Sequence, residues 1–187
     1  MNGAAKFKRA TYEDLVALPS NQTGELIEGV LYAHPRPATP HAGASSMLGG
    51  LLMGPWRLGR GGPGGWVILD EPELHFREDV VVPDLGGWRR ARMPVMPIGP
   101  FIEVSPDWVC EVLSPSTAGH DRVRKLAVYL REKVAHVWFI DPIEQTLEVL
   151  KLEGDKWIIV GTFIGDVRAR AEPFDAVELE LGLLWEK

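Results

Sequence analysis

The chain has 187 residues, 45% of them hydrophobic, with a formal net charge of −6 and a pI near 5.4. That length and composition allow one domain with a sizeable core. The acidic balance excludes an indiscriminate nucleic-acid binder, because such binding is mostly phosphate neutralisation by Lys and Arg.

In chain order, the opening MNGAAKFKRATYEDL has no apolar run behind its lysines, and nowhere do eighteen apolar residues stand together to cross a bilayer. A cytoplasmic protein with no membrane partner is expected. Thr11, with Asp14 three residues on, is a capping-box signature for a short helix that Pro19 ends. GELIEGVLYAHP reads as two strands around a turn at Glu28-Gly29. Between His41 and Leu58, the residues Met47, Leu48, Leu51 and Leu52 recur at helical spacing. GRGGPGG, residues 59–65, lacks the Gly-Lys-Ser/Thr of a phosphate loop and reads as a turn. Four strand-like runs follow, WVILDEPELHF, VVVPDL, DWVCEVLS and HVWFID, with a charged helix at 118–133 between the last two. TLEVLKLEGDKWIIVGTFI predicts an antiparallel hairpin turning at Gly154-Asp155, and FDAVELEL a closing strand.

This order predicts an α/β (α+β) protein: a mixed sheet flanked by helices, an N-terminal hairpin and a C-terminal antiparallel extension. DWVCEVLS and HVWFID are expected to be parallel because a helix joins them. One domain over 1–187 is expected, its core at 39–141 and the β extension at 142–187. Scarce Asn and Gln beside 15 prolines lean toward a heat-adapted source. The single cysteine, Cys110, excludes an internal disulfide. His34, His41, His75, His120 and His136 stand far apart with no H-E-x-x-H, which argues against zinc chemistry.

Sites in such sheets gather at strand ends, and two acids are placed there. Alternation puts Asp84 on a face with Val80 and Val82, and Glu111 on a face with Val109 and Leu113, opposite Cys110. A bare carboxylate in a buried strand is costly unless something pairs with it. If the strands are neighbours the acids meet, and at about 4 Å two negative charges repel by roughly 4 kcal/mol at an effective dielectric of 20. Such a pair shares a proton or binds a cation. Oxygen ligands with open water positions suit Mg²⁺ or Mn²⁺.

Pro83-Asp84, then Glu111-Val-Leu-Ser-Pro-Ser-Thr, then Asp121, Lys125 and Tyr129 at D-x-x-x-K-x-x-x-Y spacing together resemble the PD-(D/E)XK nuclease superfamily. More closely the chain resembles the Uma-type branch of bacterial endonucleases, from Glu25-Leu-Ile-Glu-Gly through His41 and His136-Val-Trp-Phe-Ile-Asp-Pro to Leu147-Glu-Val-Leu. The resemblance implies a restriction endonuclease-like αβββαβ core, with Asp84 and Glu111 binding Mg²⁺ or Mn²⁺ and metal-dependent cleavage of DNA. It also implies Glu25 as a third metal ligand. The superfamily's lysine is absent two residues after Glu111, where Leu113 stands; Lys125 is the matching position on the following helix.

The residues themselves leave alternatives open. Val123, Leu126, Ala127 and Leu130 form one apolar stripe, which groups Lys125 with Asp121, Val128 and Tyr129: either that second face is covered too, or Lys125 is solvated. Arg122 and Arg124 are the fallback cations. Asp84 is also suited to capping a turn into Leu85-Gly86-Gly87. His41, at a helix start, is a candidate for phosphate or water. Arg89, Arg90 and Arg92, in a loop after Asp84, are candidates to grip DNA phosphate beside the cut, with Trp88 for stacking. Cutting both strands calls for two sites, and the C-terminal hairpin offers an edge for a homodimer. Two rival functions remain: a nuclease-like fold that binds nucleic acid or protein without cutting, and a glycoside hydrolase with Trp88 and Trp108 as platforms.

Overall fold

A computed structural model of the chain describes residues 9–185; the two ends of the expected domain, 1–8 and 186–187, lie outside the described residues. Thr11 begins helix α1 (Tyr12–Val16), its backbone N–H donating to the Asp14 carboxylate at 2.8 Å as the capping box requires. Strands β1 (Gln22–Ile27) and β2 (Val30–Pro35) form the expected hairpin. Glu28 and Gly29 both take positive φ at its turn, and Glu28 is exposed. Helix α2 (Thr39–Leu52) runs on as a π-helical turn, Met53–Arg57.

The two runs read as single strands are each broken. WVILDEPELHF splits into β3 (Trp66–Asp70) and β4 (Leu74–Phe76), and VVVPDL into β5 (Asp79–Val81) with the start of β6 (Leu85–Arg89). The breaks have a shared cause. Pro72 and Pro83 cannot donate to a ladder, and Glu71 adopts φ 42°. The chain therefore leaves one sheet after β3, makes the β4–β5 hairpin in another, and returns as β6. The Glu71 N–H donates to the Asp84 carbonyl at 3.0 Å and pins the two corners together. Asp84 thus lies at a sheet-to-sheet corner, beyond the strand that was expected to carry it. Gly86–Arg89, expected to begin the arginine-rich loop, continue from Leu85 as strand β6.

After β6 come β7 (Trp108–Val112), a composite helix, β8 (His136–Asp141), β9 (Thr146–Glu153) and β10 (Lys156–Ile164). The helix has α-helical ends, Ala118–His120 and Leu126–Arg131, around a π-helical turn at Asp121–Lys125. The main sheet has the order β10-β9-β8-β7-β6-β3, with only β7 and β8 parallel; a second sheet has the order β2-β1-β5-β4. Taken as α2, β3, β6, β7, composite helix and β8, the chain realises the αβββαβ core in a mixed sheet, as expected.

Alternation along β7 sorts the core into two layers. Trp108, Cys110 and Val112 face α2 and the C-terminal segment, whereas Val109 and Leu113 face the composite helix and second sheet. Glu111 shares the second face. Cys110 is fully buried on the other, and burial pushes its thiol up, which leaves it inert.

FDAVELEL does not form the expected closing strand. Only Leu179–Glu180 pairs, with Arg168–Ala169, because Phe174 turns inward to pack among Trp56, Trp66, Trp108 and Trp138 at ring-centroid distances of 4.8–5.5 Å. The C-terminal segment is thereby part of the main core. Truncating Phe174 to Ala is expected to lower stability by about 3–5 kcal/mol, read as a shift in the midpoint of urea unfolding.

Candidate active site

Four parts of the chain meet at the C-terminal end of β7. Glu25 comes from β1, Asp84 from the β5–β6 corner, Glu111 from β7, and Asp121, Lys125 and Tyr129 from the composite helix. All six line or adjoin a cleft of about 590 Å³ between the second sheet, the start of α2 and the β7–helix turn. Ser114 fixes that turn, its Oγ lying 3.0 Å from Ser116 Oγ and 2.9 Å from Thr117 Oγ1.

Lys125 is the hub. Its Nζ donates to Glu111 Oε2 at 2.8 Å and to the Val82 carbonyl at 3.0 Å, and it lies 3.0 Å from Glu25 Oε1 and 3.8 Å from Asp121 Oδ1. The residue is only 3% exposed. Burial alone would strip its proton, but Glu111, Glu25, Asp121 and Asp84 hold its pKa well above the ordinary lysine value. Lys125 therefore stays charged. The apolar stripe picked out from the sequence is not the buried face: Val123 is 69% exposed and Ala127 is exposed, while Asp121, Lys125, Val128 and Tyr129 are buried. Their i, i+4, i+7, i+8 spacing is a core-facing stripe in which two members are charged and neutralise each other. Arg122 and Arg124 lie elsewhere, on Glu148 and over the Tyr32 ring.

Glu111, 2% exposed, accepts from Lys125 on Oε2 and from the Tyr129 hydroxyl on Oε1. Burial, with Asp121, Asp84 and Glu25 adding to it, pushes its pKa well above the ordinary value against the pull of Lys125. Burial likewise raises Asp121. Glu25 behaves differently. Burial pushes it up, but Lys125, His120 and the Val82 N–H outweigh that and hold it at about 2. Its Oε1 accepts from the Val82 N–H at 2.8 Å and its Oε2 faces His120 Nε2 at 2.8 Å.

Asp84 Oδ2 accepts the Val112 N–H at 2.6 Å, beside Glu111 in the chain, and Oδ1 lies 3.2 Å from His41 Nε2. The carboxylate is held by β7 and α2, and it caps no Leu85-Gly86-Gly87 turn. Burial lowers the His41 pKa, but the hydrogen bond and charge of Asp84 carry it above the ordinary value.

Arg89, Arg90 and Arg92 do not join this constellation. They lie exposed at the other end of β6, about 17 Å along the strand from Asp84. Arg89 stacks over Trp66, and Arg92 pairs with Asp107. Trp88 is buried, its indole N–H donating to the Val104 carbonyl at 2.8 Å, so it offers no stacking surface. Neither Trp88 nor Trp108 lines the cleft, and the glycosidase expectation loses its sugar platform. Sequence spacing missed His34 and His120, which meet with ring centroids 5.1 Å apart. The signal for half of this was present: with the turn at Glu28-Gly29, register places Thr23 opposite His34 and Glu25 opposite Tyr32, so Glu25 and His34 share a face.

Removing charge at this hub should register as stability. Glu25 has a folded pKa of about 2 against an ordinary 4.5. Its ionised form therefore stabilises the fold above pH about 4.5, and the contribution is lost as pH falls toward 2. Between those limits, ΔG of unfolding in Glu25→Gln is expected to vary less steeply with pH than in the parent chain, measured by denaturant titration. Lys125→Met, which leaves buried carboxylates without their cation, is expected to cost about 3–5 kcal/mol at neutral pH, measured by the same titration.

The family model for Uma2, described as "Putative restriction endonuclease", matches residues 10–183. A crystal structure described as a putative nuclease belonging to DUF820, from Anabaena variabilis ATCC 29413, is similar with a TM-score of 0.73 at 23% identity, over 94% of this chain and 97% of that chain. At that identity the likeness shows the fold alone. No curated protein matches the chain. With the family match running from the residue before Thr11 through the last turn of the fold, the chain belongs to the Uma2 family and has a restriction endonuclease-like nuclease fold.

Proposed function

We propose that the chain is a metal-dependent endonuclease that hydrolyses phosphodiester bonds in DNA, with Asp84 and Glu111 holding Mg²⁺ or Mn²⁺. The observation that carries this reading is the shared cleft: Asp84 and Glu111 both line it, with the charged Lys125 fixed between the elements that bear them. Family membership supports the same chemistry, since restriction endonuclease-like proteins generally use divalent ions.

The donor set fits such an ion. Asp84 and Glu111 both line the cleft, and an ion would take Asp84 Oδ1 beside His41 and a Glu111 oxygen now held by Lys125 or Tyr129; Mg²⁺ binds through one or two carboxylates while keeping several waters. Charge gives a second argument. Glu25, Glu71, Glu73, Asp84, Glu111 and Asp121 line the cleft against Lys125 and Arg36. A phosphodiester entering that field is repelled unless a dication offsets it.

When bound, the ion polarises a phosphoryl oxygen and acidifies the attacking water. Water adds to phosphorus, one P–O ester bond breaks, and the leaving oxygen takes up a proton. Lys125 keeps its proton and so acts by charge, steadying Glu111 and the negative charge that builds on phosphate oxygens. Glu25 holds Lys125 in place and is the residue that the family resemblance offers as a further ligand. His41 and the Val112 N–H orient Asp84; Tyr129 orients Glu111. Arg89, Arg90 and Arg92 suit duplex backbone away from the cut. A homodimer would supply the second site, and β10, a sheet edge among the described residues that exposes Ile158, Ile159 and Ile164, is suited to pairing.

A second reading, a nuclease-like fold that binds without cutting, is favoured by one observation: both Glu111 oxygens are already engaged, by Lys125 and Tyr129. Plasmid nicking separates the two. With Mn²⁺ or Mg²⁺ the parent chain is expected to nick, and Asp84→Ala and Glu111→Ala to lose about 100-fold or more of that rate while keeping the parent circular dichroism spectrum. Nicking that persists in EDTA, or in Asp84→Ala, would overturn the proposal.

A further inference from the structure

On the wall of the acidic cleft, the second sheet and the composite helix bring an imidazole pair onto a carboxylate. Glu25 on β1, His34 on β2 and His120 on the helix each offer a ligand atom, and the three atoms lie within 4.8 Å of one another. His120 Nε2 is 2.8 Å from Glu25 Oε2. Ligands of one zinc ion, bound at about 2.0–2.1 Å, stand roughly 3.3 Å apart. Glu25 and His120 are already within that spacing, and the His34 atom lies within 4.8 Å of the other two.

Two further observations point to a ligand. His34 Nε2 is buried without a hydrogen-bond partner among the described residues, a costly state for a polar nitrogen that an ion at this position relieves. His120 is also nearly fully enclosed, its side chain 7% exposed. The Glu25 oxygens are divided between tasks: Oε1 serves Lys125 and Val82, and Oε2 faces the histidine. Glu25 and His34 line the cleft, so an ion has a path from solvent.

We propose that Glu25, His34 and His120 form a site for a divalent transition metal of the zinc class. Two imidazoles and one carboxylate favour zinc-class ions, whereas magnesium takes oxygen ligands. The site differs from the Asp84–Glu111 pair in its two imidazoles and shares with it the cleft and Glu25, so the proposal takes Glu25 as a ligand here rather than beside Asp84 and Glu111. Because its ligands come from β1, β2 and the helix that carries Lys125, a bound ion clasps the second sheet to that helix. The clasp does not depend on hydrolysis.

The experiment uses the full chain, stripped with EDTA and then titrated calorimetrically with Zn²⁺ alone and with Co²⁺ alone. One ion per chain is expected, with visible Co²⁺ absorption of the four-coordinate type. At zinc concentrations about 100-fold above Kd, Tm is expected to rise by about 5–10 °C. His34→Ala, on a partly exposed strand, and His120→Ala should each weaken binding at least about 10-fold, whereas Asp84→Ala should bind zinc as the parent does. Zinc binding that is unchanged in His34→Ala, or lost in Asp84→Ala, would overturn the proposal, as would no binding at millimolar zinc. Loss of nicking in the histidine variants without loss of zinc would also count against it. Nicking that fails in every chain while zinc binds as described would leave the clasp standing and sink only the hydrolytic reading.

Discussion

The fold closes around one buried ammonium. A lone Lys side chain taken out of water is destabilising by several kcal/mol, and Lys125 is tolerated because its donors reach Glu111, the Val82 carbonyl and Glu25. Those acceptors belong to β7, the β5–β6 corner and β1. The contact therefore fixes the composite helix, the main sheet and the second sheet in one arrangement. It also leaves negative charge in excess, since Glu25, Asp84, Glu111 and Asp121 all act on a single lysine. A site built this way holds its acids in place while keeping an appetite for further positive charge.

The corner at residues 71–84 gives that hub its access to solvent. Had β3 run straight on through WVILDEPELHF, the main sheet would have buried its edge and Asp84 would have pointed along a continuous strand. Pro72, Pro83 and the positive φ of Glu71 turn the chain out into the second sheet and back. The excursion opens a cleft whose floor is the end of β7 and whose wall is the β1–β2 hairpin. Gly87 shows how tight the return is: a Cβ there would stand 2.9 Å from the Trp108 ring, closer than packed side chains allow.

The π-helical turn at Asp121–Lys125 sits in the same place. Such turns concentrate at functional sites because they redirect side chains without ending the helix. Here the turn presents Asp121 and Lys125 to the acids while Val128 and Tyr129, one turn on, seal the core behind them. His120 precedes it and faces Glu25 from the other side. Glu25 thus shares a cleft with the carboxylates of Asp84 and Glu111 while its own carboxylate stands close to the imidazoles of His34 and His120.

Much of this was legible in the sequence. Alternation along DWVCEVL placed Glu111 opposite Cys110 and beside Val109 and Leu113, because a strand's period of two is local and unforgiving. The hairpin at Glu28-Gly29, the Thr11 cap and the parallel pairing of β7 with β8 followed from equally local rules. What failed was whatever depended on partners distant in the chain. Val123 and Ala127 look like a buried stripe, and only the acids waiting on β1 and β7 make the face with Lys125 the cheaper one to bury. FDAVELEL has the pattern of a strand, yet four tryptophans from elsewhere draw Phe174 inward. His34 and His120 are 86 positions apart, and no spacing rule reaches that far. The sequence by itself determined which side chains β1, β2, β7 and the turn at Glu28-Gly29 would present; tertiary structure alone decided which of them would share a charge, because pairing in a low-dielectric interior depends on distance through space and not along the chain.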